Sequence, residues 1–351
     1  MSLAFLVVLG MSIDVASASP EEAKILSQHM KSEPYLNFPA VVDLFLKPTF
    51  QVEEQSHVRF DCDSLFQKIS QPQDSEPDWP PPENIPQELY NAFTLFDTIS
   101  KAEWYFAEPE ESTQSVLVWS NRLFAEYFEI ENTCGGYNST VCETAFATYS
   151  HAIKGKRGLV IGSQTPWAEV GLLRHGAAEV ITVEYLTIDS SHPQVYTMQP
   201  HELSAGFLSR SLRSIDFVFS FSSIEHDGLG RYGDPINPFG DLETMARIHC
   251  LLPPGGYLFL GVPTGPIDAV VWNAHRVYGR HRMRMLLQDW WEIVDFLHVT
   301  PFKDLEFLKH SEGAVSVRYE EALWILRKKG PLGVQVYPEL AQVTTDGSSA
   351  V

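Results

Sequence analysis

From residue 157 to residue 330, short apolar runs alternate with segments whose apolar residues recur every three or four positions. The first kind predicts strands and the second amphipathic helices. "GLVIG" is a first strand, and "PWAEVGLLRHG" a helix with proline in its first turn and glycine at its end. "EVITVEY" and "PQVYTM" supply a second and a third strand, and after them comes a helix or turn, "HELSAGFLSRSL". "IDFVFSFSS" is apolar enough for a fourth strand buried on both faces. "GDLETMARIHCLL" reads as a helix with Asp241 as N-cap and Leu242, Met245, Ile248 and Leu252 on one face. "PPGGYLFLGVP" is a turn and a fifth strand, and "EIVDFLHV" and "EALWILRK" are late strands. The alternation predicts a doubly wound α/β domain, its seven-stranded sheet mostly parallel with an antiparallel last strand. Ligands bind such sheets at the carboxyl ends of the strands, near the switch point.

Residues 19–156 lack this alternation and read as an irregular, mostly helical, Pro-rich extension packed against the α/β domain. "SQPQDSEPDWPPPENIPQELY" is an extended, proline-punctuated linker. "PEEAKILSQHMK" and "PAVVDLFLK" are short amphipathic segments, and "STQSVLVWSNRLFAEYFEIEN" is a longer helix with a Ser-Thr start. Residues 331–351 form a tail, expected to be largely disordered at its end.

Charge narrows the function classes. A formal net charge of −20, with no basic stripe, argues against nucleic acid as a partner. The N-terminus resembles a secretory signal peptide: an apolar core at residues 3–11, then Ala16-Ser17-Ala18, with cleavage expected after Ala18. That core is too short for a stable transmembrane span. A sequon at Asn138 would accept a glycan in that compartment. Cys134, Cys142 and Cys62 are expected to form one disulfide and leave one thiol, with Cys250 a small buried hydrophobe. The expected location is the lumen of the secretory pathway or outside the cell; the alternative is the cytoplasm.

Several motifs carry a resemblance. A first strand ends at a turn on Gly162, a second ends on Glu184, and "LLPPGG" precedes the fifth. This order resembles the class I S-adenosylmethionine-dependent methyltransferases, with their Rossmann-like fold. "VIGSQTPWAE", "SSIEHDGLGRYGDP" and "NAHRVYG" most closely resemble a small family common in nematodes, domain of unknown function 268. The resemblance implies a methyltransferase-like domain over 157–330 and S-adenosyl-L-methionine as cofactor. Gly162, Ser163 and Gln164 would form the turn against the methionine part, with helix N–H groups beginning near Pro166 facing its carboxylate. Glu184 would accept hydrogen bonds from both ribose hydroxyls. Gln199 is a loose match to the residue that meets the adenine amine, in a stretch that also offers Met198 and Glu202. Ser222 and Ser223 would line the methyl-transfer pocket. An acid at Glu184 also suits a dinucleotide, but the glycine pattern that a pyrophosphate needs is missing.

His226 is the favoured catalytic base, His275 the second candidate, and Glu225 the group that orients the ring. Glu225 and His226 also offer ligands for a divalent metal. Arg231 and Tyr232 suit a hydroxylated or acidic acceptor, unless Arg231 merely pairs with Asp234 to fix the loop. Asn273, His275, Arg276 and Tyr278 are expected on a segment covering the pocket. The leading reading is O-methyl transfer to a hydroxyl of a glycan or small molecule. A catalytically lapsed interaction protein with the same fold is the alternative.

Overall fold

The structure, a computed structural model, describes residues 7–8, 11–12, 61–71, 80–107, 116–131, 134–137, 139–298 and 319–329. Residues 7–8 and 11–12 pair as a short antiparallel ladder. The rest of the N-terminal stretch, the two amphipathic segments before residue 61, Asn138 and the C-terminal tail lie outside the described residues.

Seven strands form one sheet: β1 (Arg157–Ile161), β2 (Glu179–Val183), β3 (Val195–Met198), β4 (Phe217–Phe221), β5 (Tyr257–Thr264), β6 (Trp291–Leu297) and β7 (Glu320–Lys328). Their order is β6-β7-β5-β4-β1-β2-β3. β7 runs antiparallel to both β5 and β6, and the other pairings are parallel. The chain leaves β1 toward β2 and then returns to β4 on its other side, so the switch point falls between β1 and β4.

Four helices accompany the sheet: α1 (Trp167–Arg174), α2 (Pro200–Leu208), α3 (Gly240–Leu251) and α4 (Arg280–Leu287). The strands are apolar throughout because both faces are covered. Leu159, Ile181, Val218, Leu258 and Leu260 point to one side and meet Leu203, Leu242, Met245, Met283 and Leu286. Their neighbours Val160, Val180, Phe217, Phe219 and Phe259 point to the other and meet Ala168 and Leu172 of α1.

Described parts of the first 156 residues contribute to both layers. The helix Cys62–Gln67 packs on α2 and α3, with Phe66 stacked on Phe207 at 3.9 Å between ring centroids. The helix Val141–Thr148 sits across the sheet beside α1, burying Phe146. Disulfides join Cys62 to Cys250 and Cys134 to Cys142. The expectation of one bridge plus one thiol is therefore corrected. Cys250 lies on α3 facing the Cys62 helix, a proximity that sequence spacing cannot express.

Other expectations also change. Of "STQSVLVWS", the described part, residues 116–120, is not helical: Leu117–Trp119 is a strand paired in parallel with Ile188–Ser190, and the helix begins at Asn121. The β-branched Val116 and Val118 favour that strand, and Ser120 caps the helix by accepting from Leu123 N at 3.2 Å. Asp241 is not an N-cap. It lies fully buried in the first turn of α3 and accepts from Arg282 Nε and Tyr278 Oη, both at 3.0 Å, and from Arg282 Nη2. Arg276, also fully buried, has its Nε 3.9 Å from the same carboxylate.

Arg276 and Tyr278 belong to, or border, two interior strands, Ala269–Asn273 and His275–Val277, which pair with each other, the first also pairing in parallel with Ser100–Trp104. The segment expected to cover the pocket is thus an interior ribbon. It is stable inside the protein because its one guanidinium, that of Arg276, finds Asp241 and main-chain carbonyls.

Asp241→Ala should strand two buried guanidinium groups. The expected loss is about 3–5 kcal/mol of unfolding free energy, read from the denaturant midpoint. Asp241→Asn, which keeps the shape but not the charge, should fall between this variant and the wild type.

Candidate functional site

The carboxyl ends of β1, β2 and β4 open into one cavity of ≈ 340 Å³. Its wall includes Gly162, Ser163 and Gln164 after β1, Glu184 after β2, and Ser222, Ser223 and His226 after β4. Predicted residues from three separate stretches are thus brought together. Gln199, Glu225 and His275 do not line it.

The turn after β1 depends on a single glycine. Gly162 has φ +71°, and a Cβ there would overlap Ser223 Oγ and lie 2.6 Å from Ser223 Cβ. The Ser223 side chain, just past β4, packs directly on the Gly162 main chain, so only glycine fits this turn at the cavity wall. Ser163 turns its hydroxyl inward, 2.7 Å from Thr165 O and 3.3 Å from Glu169 Oε2. Glu169, fully buried on α1, also accepts from Thr182 Oγ1 of β2 at 2.6 Å. Burial pushes its carboxyl up to about 7. Sequence reasoning passed over Glu169, although a lone acid inside the apolar pattern "WAEVGLL" was a legible signal.

Glu184 is half-buried at the end of β2, where its Oε1 accepts from Tyr185 N at 2.8 Å. Gln199 takes another task. Its main-chain N–H donates to Glu202 in the capping box that starts α2, and its amide donates to Tyr185 O at 2.9 Å. It thereby pins the turn just past Glu184.

Beyond β4, Ser222 adopts φ +50° and its hydroxyl bonds to that of Tyr137. Tyr137 and Gly135 come from the Cys134–Cys142 loop and form a wall of the cavity. Ile69, just past the Cys62–Gln67 helix, adds to the same wall. These contributions were not foreseen, because they join residues far apart in the chain.

His226 sits in a 3-10 turn, Ile224–His226. Its Nδ1 donates to Ala274 O at 2.6 Å, so Nε2 carries the lone pair. Burial, and next the charge of Arg231, hold its pKa well below the ordinary histidine value. Glu225 is buried behind it, with Oε1 3.4 Å from Nε2. Burial raises the Glu225 carboxyl, and Glu225 in turn helps raise that of half-buried Glu321. His275 packs edge-on to Trp104 and Tyr319, its ring centroid 6.5 Å from that of His226.

The loop after His226 is held from inside. Asp234 Oδ2 accepts from Gly228 N at 2.6 Å and Gly230 N at 3.2 Å, and Oδ1 from Tyr232 N at 3.3 Å. The expected Arg231–Asp234 pair is absent among the described contacts. Arg231 instead lies 4.0 Å over the Phe106 ring and donates to Ala274 O at 3.2 Å. Arg276 donates to Glu225 O at 3.3 Å and Asp227 O at 2.5 Å. Asn273 is likewise structural, bonded to the main chain of Phe106. Among the described residues no group of three or more His, Cys, Asp or Glu could hold a metal ion, so no step is derived through one.

Residues 155–323 match a family described as "Caenorhabditis protein of unknown function, DUF268". No curated protein matches the chain. Solved structures to which the chain is similar include the following two. An O-methyltransferase from Bacillus cereus, solved in complex with SAH, is 10% identical, with a TM-score of 0.35 over 60% of this chain and 92% of that one. The N-methyltransferase NodS from Bradyrhizobium japonicum WM9 is 12% identical, with a TM-score of 0.30 over 53% of this chain and 94% of that one.

Gly162→Ala should destabilise the protein by about 1–3 kcal/mol, through both the left-handed backbone and the overlap with Ser223. Ser223→Gly in the same chain should recover the overlap part alone. Equal melting temperatures for Gly162→Ala and wild type would show that the two strand ends do not meet this closely.

Proposed function

We propose that the chain, whose residues 155–323 match the domain of unknown function 268 family, is an S-adenosylmethionine-dependent O-methyltransferase acting on a hydroxyl of a glycan or small molecule. The observation that carries this reading is the single cavity gathering the Gly162 turn, Glu184 and His226 at the switch point of the sheet. The donor set fits the cofactor. The turn of Gly162, Ser163 and Gln164 lines the cavity at the end of β1, and Glu184 in the same wall offers acceptor oxygens for a pair of ribose hydroxyls. When bound, S-adenosylmethionine supplies an electrophilic methyl group and leaves as a neutral thioether.

The chain's own residues supply orientation and a proton acceptor. His226 lines the cavity, and its Nε2 is the unprotonated nitrogen because Nδ1 donates to Ala274 O. The neutral ring can take the proton of an acceptor hydroxyl as that oxygen is methylated. Glu225, 3.4 Å from Nε2, can stabilise the imidazolium once formed. Tyr137 and Tyr232 offer aromatic faces in the same cavity, which suits a sugar ring. The lapsed alternative draws support from Ser163, whose hydroxyl is engaged inside the turn.

We further propose that the protein works in the secretory pathway. The two disulfides support this, since such bonds persist in oxidising compartments. No helix of the described residues is long and apolar enough to cross a membrane. A glycan on Asn138 belongs to the same proposal. Glycosidase treatment of protein from a eukaryotic host should shift its mobility, and thiol alkylation without reductant should label none of the four cysteines. An unglycosylated, fully alkylated chain would return it to the cytoplasm.

Glu184→Ala should weaken S-adenosylmethionine binding by about 1–3 kcal/mol in calorimetry, from the loss of charge-assisted hydrogen bonds. Unchanged affinity would remove the cofactor assignment. His226→Ala should lower turnover by about two to four orders of magnitude with cofactor affinity near wild type. Since the pKa of His226 is depressed, the ring is already neutral in the ordinary histidine range, and its contribution to turnover should be flat there and fall only at lower pH.

A further inference from the structure

Glu169 lies outside the mechanism above, yet it joins the two elements that build the cavity's cofactor side. Its Oε1 accepts from Thr182 Oγ1 on β2, two residues before Glu184. Its Oε2 faces Ser163 Oγ in the turn after β1. The Ser163 hydroxyl has one proton and two neighbours, Thr165 O at 2.7 Å and Glu169 Oε2 at 3.3 Å. Thr165 O can only accept, and so can an ionised carboxylate. With Glu169 ionised, one of the two contacts must lapse. With Glu169 neutral, all three hydrogen bonds form at once: Thr182 donates to Oε1, the acid donates from Oε2 to Ser163, and Ser163 donates to Thr165 O.

We propose that Glu169 is held as a neutral carboxylic acid whose proton braces the turn after β1 against β2. It acts as a positioning residue for the cofactor side of the cavity, a role that rests on the methyltransferase reading. The bracing takes over work that additional glycines do in a glycine-rich turn, where backbone shape alone sets the loop. Complete burial agrees with a neutral group, because an unpaired carboxylate at that depth is costly.

The titratable groups on the elements packed around α1 are Glu179 at the start of β2, paired with Arg157 and Arg213, Glu184 after β2, the Glu143–His175 pair with the Val141–Thr148 helix, Arg174 at the end of α1, and the Arg122–Glu126 pair, Tyr127 and Glu129 on the Asn121–Glu129 helix. Of these, Glu184 acts on Glu169, and its charge raises the carboxyl further. A bound ligand carboxylate near the turn would push the same way. Loss of the proton at high pH therefore opposes ligand binding.

The test combines a direct and a functional readout. The infrared difference spectrum between wild type and Glu169→Gln at about pH 6 should show the C=O band of a protonated carboxyl, lost in the variant. If Glu169→Gln does not fold, the Ser163→Ala difference spectrum reads the same band, shifted because the acid has lost its acceptor. Calorimetry with S-adenosylhomocysteine should show wild-type affinity falling about tenfold between about pH 6 and about pH 8.5, for a carboxyl that the ligand raises by about one unit. Glu169→Gln keeps both a donor and an acceptor, so it should bind well and lack that fall. Absence of the band overturns the proposal, and so does its presence with parallel pH profiles in the two proteins. If neither protein binds S-adenosylhomocysteine at any pH, the methyltransferase reading fails, and the band alone then decides the protonation of Glu169.

Discussion

The buried carboxylate of Asp241 is the interaction on which the His226 side of the cavity rests. Two guanidinium groups and a phenol converge on it in a region without solvent. Desolvation alone would raise a carboxyl placed there, yet the charges of Arg276 and Arg282 hold its pKa below the ordinary value. The arrangement is self-consistent only when complete, since removal of one member leaves an uncompensated charge in the interior. Arg276 then directs its remaining donors to the carbonyls of Glu225, Asp227, Asn237 and Pro238. A planar fork with five donors can hold several carbonyls at fixed spacing. The turn that carries His226 is thus held from the core side.

The Gly162 side uses different means. Gly162 leaves room for the Ser223 side chain on its main chain, and hydrogen bonds among Ser163, Thr165, Thr182 and Glu169 shape the rest. The surrounding wall comes from the first half of the chain. The Cys134–Cys142 loop contributes Gly135 and Tyr137, and the Cys62–Cys250 bridge fastens a short helix to α3 beside Ile69. A disulfide suits such short elements, which bury too little apolar surface to hold their place alone. The cavity is therefore the product of both halves of the chain.

Period-two burial made the strands legible. A residue such as Leu159 or Val160 faces a covered layer whichever side it points to, and this leaves an unbroken apolar run in the sequence. The Gly162 turn, Glu184 and the His226 turn were legible for a related reason: parallel strands deliver their carboxyl ends to one edge. Once strand ends are marked, the residues just past them share a site.

Pairings across long separations were decided only by the tertiary structure. Cys250 read as an apolar helix position because nothing nearby in the chain indicates Cys62, and Asp241 read as a cap because its partners lie on a later ribbon. Nothing in the local pattern around Arg276 and Arg282 marks them as interior, since a local pattern treats charge as exposed. They are buried because Asp241 and a set of carbonyls were brought to them. Local spacing determined which segments are strands and helices and which residues stand at the strand ends. Three-dimensional packing decided which of those residues are bonded to one another and which face the cavity, because hydrogen bonds and desolvation depend on distance in space.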